Sequence, residues 1–376
     1  MDNMLNNIKN ILKASENILK ASDCNQSSNK ILKEKADQAI DGLINHQDLG
    51  IVQEWRGKHL APMIQLKDFV IQETEKLQIK PVFVSARLKM ITTIIDKIKT
   101  GRHKKLSTMQ DLGGVRIVFD NHKDLYTYYN EILKSKAFKI LRTKDYIKEP
   151  KETGYRGIHI VYDIDGYNIE LQLRTEGQHI WASTVETVGW YFAQDFKSGE
   201  GDSEHLEFFK ESSVLFSDKN TTLSLDDIDD INFLLKMALY ENNYQNVCEY
   251  DGITFDNIDC TQYVLYNEDK ELTEGQMLDD KHHRNYKSNY FCIDGTRQAE
   301  YTLSPFLIQN IYNFNNKKDD LSECNKLYAK LENRNYTDSQ KTKTLLVWVS
   351  DTSKLEDAYP CFFSQTKQFT DYLEGL

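Results

Sequence analysis

The chain has 376 residues, of which 40% are hydrophobic, 28% are charged and five are proline. That balance excludes a collagenous, mucin-like or largely disordered polypeptide and points to two or three folded domains. No uninterrupted apolar run approaches the ~18 to 20 residues of a membrane-spanning helix. The opening segment MDNMLNNIKNILKASENILK also lacks the compact apolar core and small-residue cleavage site of a secretory signal. A cytoplasmic protein without a membrane partner is expected.

A net charge of −11 discourages an anionic partner for the molecule as a whole. The charge is unevenly spread, however. Residues 1–200 carry 30 Lys and Arg against 26 Asp and Glu, whereas residues 201–376 carry 17 against 32. Residues 80–150 alone hold 16 basic against 7 acidic side chains, so an anion is expected to be handled there. The six cysteines, Cys24, Cys248, Cys260, Cys292, Cys324 and Cys361, are far apart with no C-x-x-C pair, which argues for free thiols rather than a disulfide framework or structural zinc site.

In chain order, residues 1–79 read as a helical region, with ILKASENILKA and KEKADQAIDGLI placing apolar residues three and four apart. A further amphipathic helix is expected over Val84–Lys99. Beyond Gly101 the pattern changes to period two in GVRIVFD, GIHIVYDI and YNIELQLRT, and Asp165-Gly166 between the last two is a hairpin turn signal. A helix over 176–195 closes a unit spanning 80–200. Residues 201–245 read as a helical extension, with Ser224 as N-cap of a helix through Leu239. Residues 246–376 form an acidic C-terminal region whose clearest elements are a helix over 320–332, a strand TLLVWVS at 344–350 and a helix near 364–375.

On a helix over Val84–Lys99, Leu88, Ile91, Ile94, Ile95 and Ile98 share an apolar sector, while Lys89, Thr93 and Lys97 align opposite, with Arg87 at the start. Such a stripe is a solvated basic face or a polyphosphate grip through charge-assisted hydrogen bonds. Asp111 enters the next strand just after these cations, where a carboxylate can bind a metal, and Arg116 follows between Val115 and Ile117. If Asp165-Gly166 is a two-residue turn, Val161 faces Glu170 and His159 faces Gln172. Asn168, Glu170, Gln172 and Arg174 then line one face, opposite the apolar Tyr167, Ile169, Leu171 and Leu173. Four unlike hydrogen-bonding groups without a lysine suit ligand reading better than solubility. In KETGYRGIH, Lys151 and two glycines flank Tyr155, a loop ring placed to stack on a nucleobase.

The series Arg87-x-Lys89, Thr93, Lys97, Asp111, Arg116, then Lys151-x-x-Gly154-Tyr155-x-x-x-His159, Glu170-x-Gln172-x-Arg174-Thr175 and Gln178-His179-x-Trp181 resembles the RelA/SpoT synthetase domain over about residues 80 to 195. Thr93 stands where that family usually has Ser, which keeps the hydroxyl. The resemblance implies an α+β fold, a mixed β-sheet flanked by helices with a nucleotidyltransferase-like core. It implies a pyrophosphokinase, a GTP diphosphokinase that moves the β,γ-pyrophosphate of ATP to the 3′-hydroxyl of GDP or GTP, yielding the alarmones ppGpp and pppGpp. Arg87, Lys89, Thr93, Lys97 and Arg116 would hold ATP. Lys151, Tyr155, His159, Asn168 and Gln172 would surround the acceptor, with the Tyr155 ring stacked on guanine. Asp111 and Glu170 would bind Mg²⁺, and Glu170 would polarise the acceptor hydroxyl.

Long members of the family carry an N-terminal metal-dependent hydrolase with a His-Asp pair. The first 80 residues here have two histidines, His46 and His59, and no His-Asp dipeptide, so no hydrolase activity is expected. WRGKH at 55–59 and AYPCFF at 358–363 resemble elements around extended synthetase domains. Two other readings stand beside alarmone synthesis. A toxic member would pyrophosphorylate the 3′ end of tRNA, or make an adenosine alarmone, with the C-terminal half as a neutralising or sensing module. A non-catalytic nucleotide-binding regulator is disfavoured by two carboxylates beside phosphate, which repel it unless a metal intervenes. A homo-oligomer is compatible with the sequence.

Overall fold

The computed structural model describes residues 31–38, 49–192, 194–217, 264–266, 290–297, 306–314, 325, 328–333, 342–363, 368, 369 and 372. The expected helix through ILKASENILKA and the one capped by Ser224 lie outside these residues, as does most of the chain between Tyr250 and residue 289. The molecule forms two compact units. One holds the described residues up to Lys58 together with Thr93–Met109, and the other holds His59–Thr92 and the described residues from Gln110 onward.

The first unit is helical. It contains α1 (31–38), α2 (Leu49–Gly57) and most of α4 (Ile91–Lys99). Asp37 closes it locally by accepting from the Ser107 backbone N–H at 2.7 Å and the Ser107 hydroxyl at 2.6 Å. Ile94, Ile95 and Ile98 of α4 are buried at steps of one, three and four, as the apolar sector requires.

The second unit is built on a mixed sheet. Its strands are β1 (Phe83–Leu88), β2 (Gly113–Phe119), β3 (Lys139–Asp145), β4 (Ile158–Ile164), β5 (Tyr167–Thr175), β6 (Val264–Tyr266), β7 (Tyr290–Arg297), β8 (Phe306–Phe314) and β9 (Thr342–Val349). Their order across the sheet is β3-β4-β5-β2-β1-β9-β7-β8-β6. β2 runs parallel to β5, and β1 lies antiparallel to both β2 and β9. The expected α+β class, a mixed sheet with flanking helices, is what the chain adopts.

Alternation along the strands separates two faces. Val84, Ala86, Val115, Ile117, Phe119, Ile160, Ile169, Leu171 and Leu173 lie on one, each almost wholly buried. Helix α3 (Leu60–Lys76) covers this face with Met63, Leu66 and Val70, and α5 (His122–Ile132) with Leu125, Tyr128 and Ile132. Burying each such aliphatic side chain contributes about 1.5–3 kcal/mol, so this apolar layer anchors the strands that present the other face. At Gly113 a Cβ would lie 3.2 Å from the Ile169 side chain and 3.3 Å from His59, so this strand start admits α3 through lack of a side chain.

The β4–β5 hairpin has the expected register. Ile164 faces Tyr167, Val161 faces Glu170 and His159 faces Gln172. Asp165 and Gly166 take φ of 54° and 83°, the left-handed pair of a two-residue turn that follows strand twist. The expected helix over Val84–Lys99 is corrected. Its first part is strand β1, and α4 begins at Ile91. β1 sits inside the sheet between β2 and β9 and is buried on both faces, so FVSARL lacks the alternation that marks a half-exposed strand. Arg87 therefore projects from a strand, Lys89 from the connection after it, and Thr93 and Lys97 from a helix.

The strand expected at 344–350 is β9. It pairs with β1 through Ser85↔Val349, Ala86↔Trp348 and Arg87↔Val347. The described residues 328–333 are helical within the region expected to be a helix at 320–332, and residues 368, 369 and 372 are helical in the terminal stretch.

Candidate functional site

The second face of the sheet carries Ser85 and Arg87 from β1, Arg116 from β2, His159 from β4, and Asn168, Glu170, Gln172 and Arg174 from β5. The parity follows from the cross-strand pairs Ser85↔Arg116, Arg116↔Gln172 and His159↔Gln172. Helix α6 (Glu176–Phe192) packs here, with His179 edge-on to Phe83 at 5.2 Å between ring centroids.

A continuous hydrogen-bond network links these groups. Glu170 Oε1 meets His159 Nδ1 at 2.8 Å, and Glu170 Oε2 accepts from Gln172 Nε2 at 2.6 Å. The other nitrogen of His159 meets the Tyr155 hydroxyl at 2.5 Å. Arg174 Nη2 donates to that hydroxyl at 3.1 Å and to Gln172 Oε1 at 3.2 Å, and Arg116 Nε reaches the same Gln172 oxygen at 3.4 Å. Four of the sequence-assigned residues, Arg116, His159, Glu170 and Gln172, are thus joined directly, with Tyr155 behind them. Asn168 lies half-buried on the same face, paired across the hairpin with Asp163.

Electrostatics follow from this geometry. Burial disfavours the Glu170 carboxylate, but the His159 imidazole outweighs it through charge and hydrogen bonding and holds Glu170 below the ordinary carboxylate range. Burial likewise pushes His159 down, yet Tyr155 and Glu170 raise it to about 9. Tyr155 is lowered to about 7, because the Arg174 guanidinium and His159 overcome its burial. His159 is therefore expected to carry a proton at neutral pH. Its folded value lies above the ordinary 6.5. The stabilisation from charging it is complete below that value and is lost as pH rises through about 9. An ¹⁵N NMR titration of the chain without added metal should place the His159 midpoint near 9; a midpoint near the ordinary value would contradict the clamp.

Three guanidiniums crowd the site. Burial first, then the charges of Arg174 and Arg87, pull Arg116 down, with Tyr359 and Glu186 opposing. Arg87 is raised despite its burial, by Glu186 and by Tyr359, Cys361 and Asp111. Arg174 is 3% exposed, and its Nε has no hydrogen-bond partner. A buried guanidinium with an unused N–H is a place where an anion oxygen would be welcome. Next to this group, Lys89 Nζ meets Asp111 Oδ2 at 2.7 Å just before β2, and the Asp111 charge reaches Glu170, raising it.

Tyr155 differs from expectation. Its ring is 3% exposed rather than open on a loop, with the Lys151 ammonium 4.9 Å and the Arg174 carbon 5.1 Å from its centroid. The cause is how the loop docks. At Gly154, φ is +89° and a Cβ would lie 2.9 Å from the Lys210 Cα of α7 (Ser203–Ser212), so the loop presses on that helix. The ring joins Trp181, Phe196 and Phe209 in one apolar cluster. Gly154→Ala is expected to cost about 1–3 kcal/mol through backbone strain and this close approach. Urea unfolding measures it, and an unchanged midpoint would contradict the docking.

Thr93 and Lys97 lie on α4 in the other compact unit, both half-buried. Four residues of the site had no role assigned from sequence: Arg174, His179, Glu186 and Tyr359. Arg174 continues the period-two series of Glu170 and Gln172, and His179, Ser183 and Glu186 follow helical spacing on α6, so both signals were present. Tyr359 had none.

Residues 86–195 match the family described as "Region found in RelA / SpoT proteins". The chain carries a RelA/SpoT region. Around it the chain is 29% identical over 121 residues to the GTP pyrophosphokinase YjbM of Bacillus subtilis, covering 30% of this chain and 57% of that protein. It is 29% identical over 124 residues to YwaC, a GTP pyrophosphokinase of the same organism, covering 29% and 59% respectively. It is also 30% identical over 147 residues to the probable GTP diphosphokinase RSH3, chloroplastic, of Arabidopsis thaliana, covering 32% and 20%. The chain thus spans less than two thirds of the length of each. The solved structure of small alarmone synthetase 1 from Bacillus subtilis bound to its product pppGpp is 22% identical, with a TM-score of 0.36 and coverage of 43% of this chain and 90% of that one. Arg87, Lys89, Asp111, Arg116, Lys151, Tyr155, His159, Asn168, Glu170 and Gln172 all fall within the RelA/SpoT region. No helix among the described residues is long and apolar enough to cross a membrane.

Proposed function

We propose that the chain is a pyrophosphokinase that transfers the β,γ-pyrophosphate of ATP to the 3′-hydroxyl of GDP or GTP. The observation that carries this reading is the polar face within the RelA/SpoT region, where a hydrogen-bonded carboxylate shares the face with one buried guanidinium, Arg174, and two half-buried ones, Arg87 and Arg116. The names of YjbM and YwaC as GTP pyrophosphokinases support the same reaction.

Pyrophosphoryl transfer asks the protein for positioning and charge stabilisation more than for covalent work. The acceptor 3′-oxygen forms a bond to the β-phosphorus, the bond from that phosphorus to the oxygen bridging the α-phosphate breaks, and AMP leaves. Arg87, Arg116 and Lys89 hold the polyphosphate of ATP, with Arg174 adding a donor. Glu170, kept ionised by His159 and oriented by Gln172, accepts the hydrogen of the acceptor hydroxyl. Lys151, Asn168, His159 and Gln172 form the acceptor side, where Tyr155 fixes His159 through its hydroxyl. Stacking of its ring on guanine would require Lys151 to move off it.

No group of three or more His, Cys, Asp or Glu among the described residues is placed to hold a metal ion. Asp111 and Glu170, near enough for one charge to act on the other, nevertheless fit Mg²⁺, which typically takes one or two carboxylates and completes its shell with water and substrate phosphate. Bound there, it would neutralise charge on the phosphates. The test is AMP release from ATP by the intact chain with Mg²⁺, with and without GDP or GTP. AMP formation that depends on the guanine nucleotide supports the proposal; no acceptor-dependent AMP overturns it.

A further inference from the structure

Three consecutive residues far along the chain hold three groups at the site. The Asp357 carbonyl lies 2.7 Å from His179 Nε2. The Ala358 carbonyl accepts from Arg116 Nη1 at 3.4 Å. The Tyr359 hydroxyl donates to the Ala86 carbonyl at 3.3 Å. Ala86 C=O belongs to the peptide unit from which Arg87 springs, so Tyr359 fixes the base of one guanidinium while Ala358 receives the tip of the other.

The segment is firmly seated. β9 leads into it alongside β1, Ser350 N–H donates to the Val84 carbonyl at 2.8 Å, and Val84 N–H donates to the Ser350 hydroxyl at 2.9 Å. Leu355, Ala358, Tyr359 and Cys361 are buried in one cluster with Phe83 and Val118, both on the site face of the sheet. A wall of this kind restrains two like charges that would otherwise move apart, which is the preorganisation an anion site needs.

We propose that Asp357–Tyr359 forms a wall of the ATP site, with Tyr359 a positioning residue that holds Arg87, and Arg116 beside it, ready for polyphosphate. The inference rests on the reading of the site as a pyrophosphokinase. It places this part of the acidic C-terminal region within the catalytic machinery rather than in a separable neutralising module.

Tyr359→Phe keeps the ring in its cluster and removes the hydroxyl, and Ser353→Ala removes an exposed hydroxyl that donates to Asp351 at 2.7 Å, away from the arginines. Both variants are made in the full chain, and KM for ATP, KM for the guanine acceptor and thermal midpoint are measured. Losing one hydrogen bond that aims a charged group should raise KM for ATP about three- to ten-fold in Tyr359→Phe, with KM for the acceptor unchanged and Ser353→Ala like the native chain in both. An ATP KM equal to the native one, or equal rises in both KM values, overturns the inference, whatever happens to the thermal midpoint. A native chain that shows no transfer from ATP instead removes the pyrophosphokinase reading itself. Binding of an ATP analogue with an uncleavable α,β bridge then still tests the wall, since Tyr359→Phe should weaken it by a similar factor, and unaltered binding overturns the inference.

Discussion

Glu170→Gln is expected to lower acceptor-dependent AMP formation by roughly 10²- to 10⁴-fold, the range for loss of a general base, while the chain stays folded. The expectation comes from the two bonds that hold the carboxylate. His159 at 2.8 Å and Gln172 at 2.6 Å occupy one oxygen each. An amide of the same shape can keep its oxygen toward the Gln172 Nε2 donor and turn its nitrogen toward His159, whose Nδ1 accepts once the imidazole is neutral. What the amide cannot supply is negative charge for the acceptor hydroxyl. His159 should also lose part of what raises it to about 9, so its NMR midpoint should fall in the variant. Activity within ten-fold of native would remove Glu170 from the chemistry; unfolding of the variant would mean the carboxylate is structural.

The second large effect is expected at Arg116. Arg116→Met keeps the stem and removes the guanidinium, and should lower kcat/KM by about 10²- to 10³-fold, as loss of one preorganised donor to a developing charge does. Stability should be unchanged or higher. Arg116 is pulled down by burial and by Arg174 and Arg87, so its charge is held against local cost in the folded state. Loss of function with retained or increased stability separates a ligand grip from a structural arginine. A variant that is less stable yet fully active would contradict the role. Sulfate or pyrophosphate at millimolar concentration should stabilise the native chain and not the variant, since the anion relieves the same repulsion.

The parts of the site that could be read from sequence are those whose geometry is local. Asp165-Gly166 sets the hairpin register, and from that register Glu170, Gln172 and Arg174 fall on one face with His159 opposite Gln172. The apolar partner face reads just as directly, because Ile169, Leu171 and Leu173 alternate with the polar series. β1 was not legible, since a strand buried on both faces has no polar period and its Leu88 continues the helical spacing of α4. Tyr155 reads as an exposed loop ring because its neighbours are glycines. Its burial depends on α6 and α7, which no local pattern ties to that loop. Tyr359 lies 273 residues from Ala86, and only the pairing of β9 with β1 brings the two together. Charge behaves similarly. The net −11 gave no hint of an anion site, the basic stretch at 80–150 did, and the buried cluster then drew one member, Arg174, from outside that stretch.

Product analysis tests the central proposal most directly. The intact chain is incubated with Mg²⁺ and ATP labelled in the γ-phosphate, together with GDP, GTP, ATP or deacylated tRNA, and the position of the label is determined by mass and by ³¹P NMR. The expected result is a 3′-pyrophosphate on GDP or GTP with one AMP formed per transfer. Label found solely on tRNA or on an adenine nucleotide, or released as free phosphate with ADP, would contradict it.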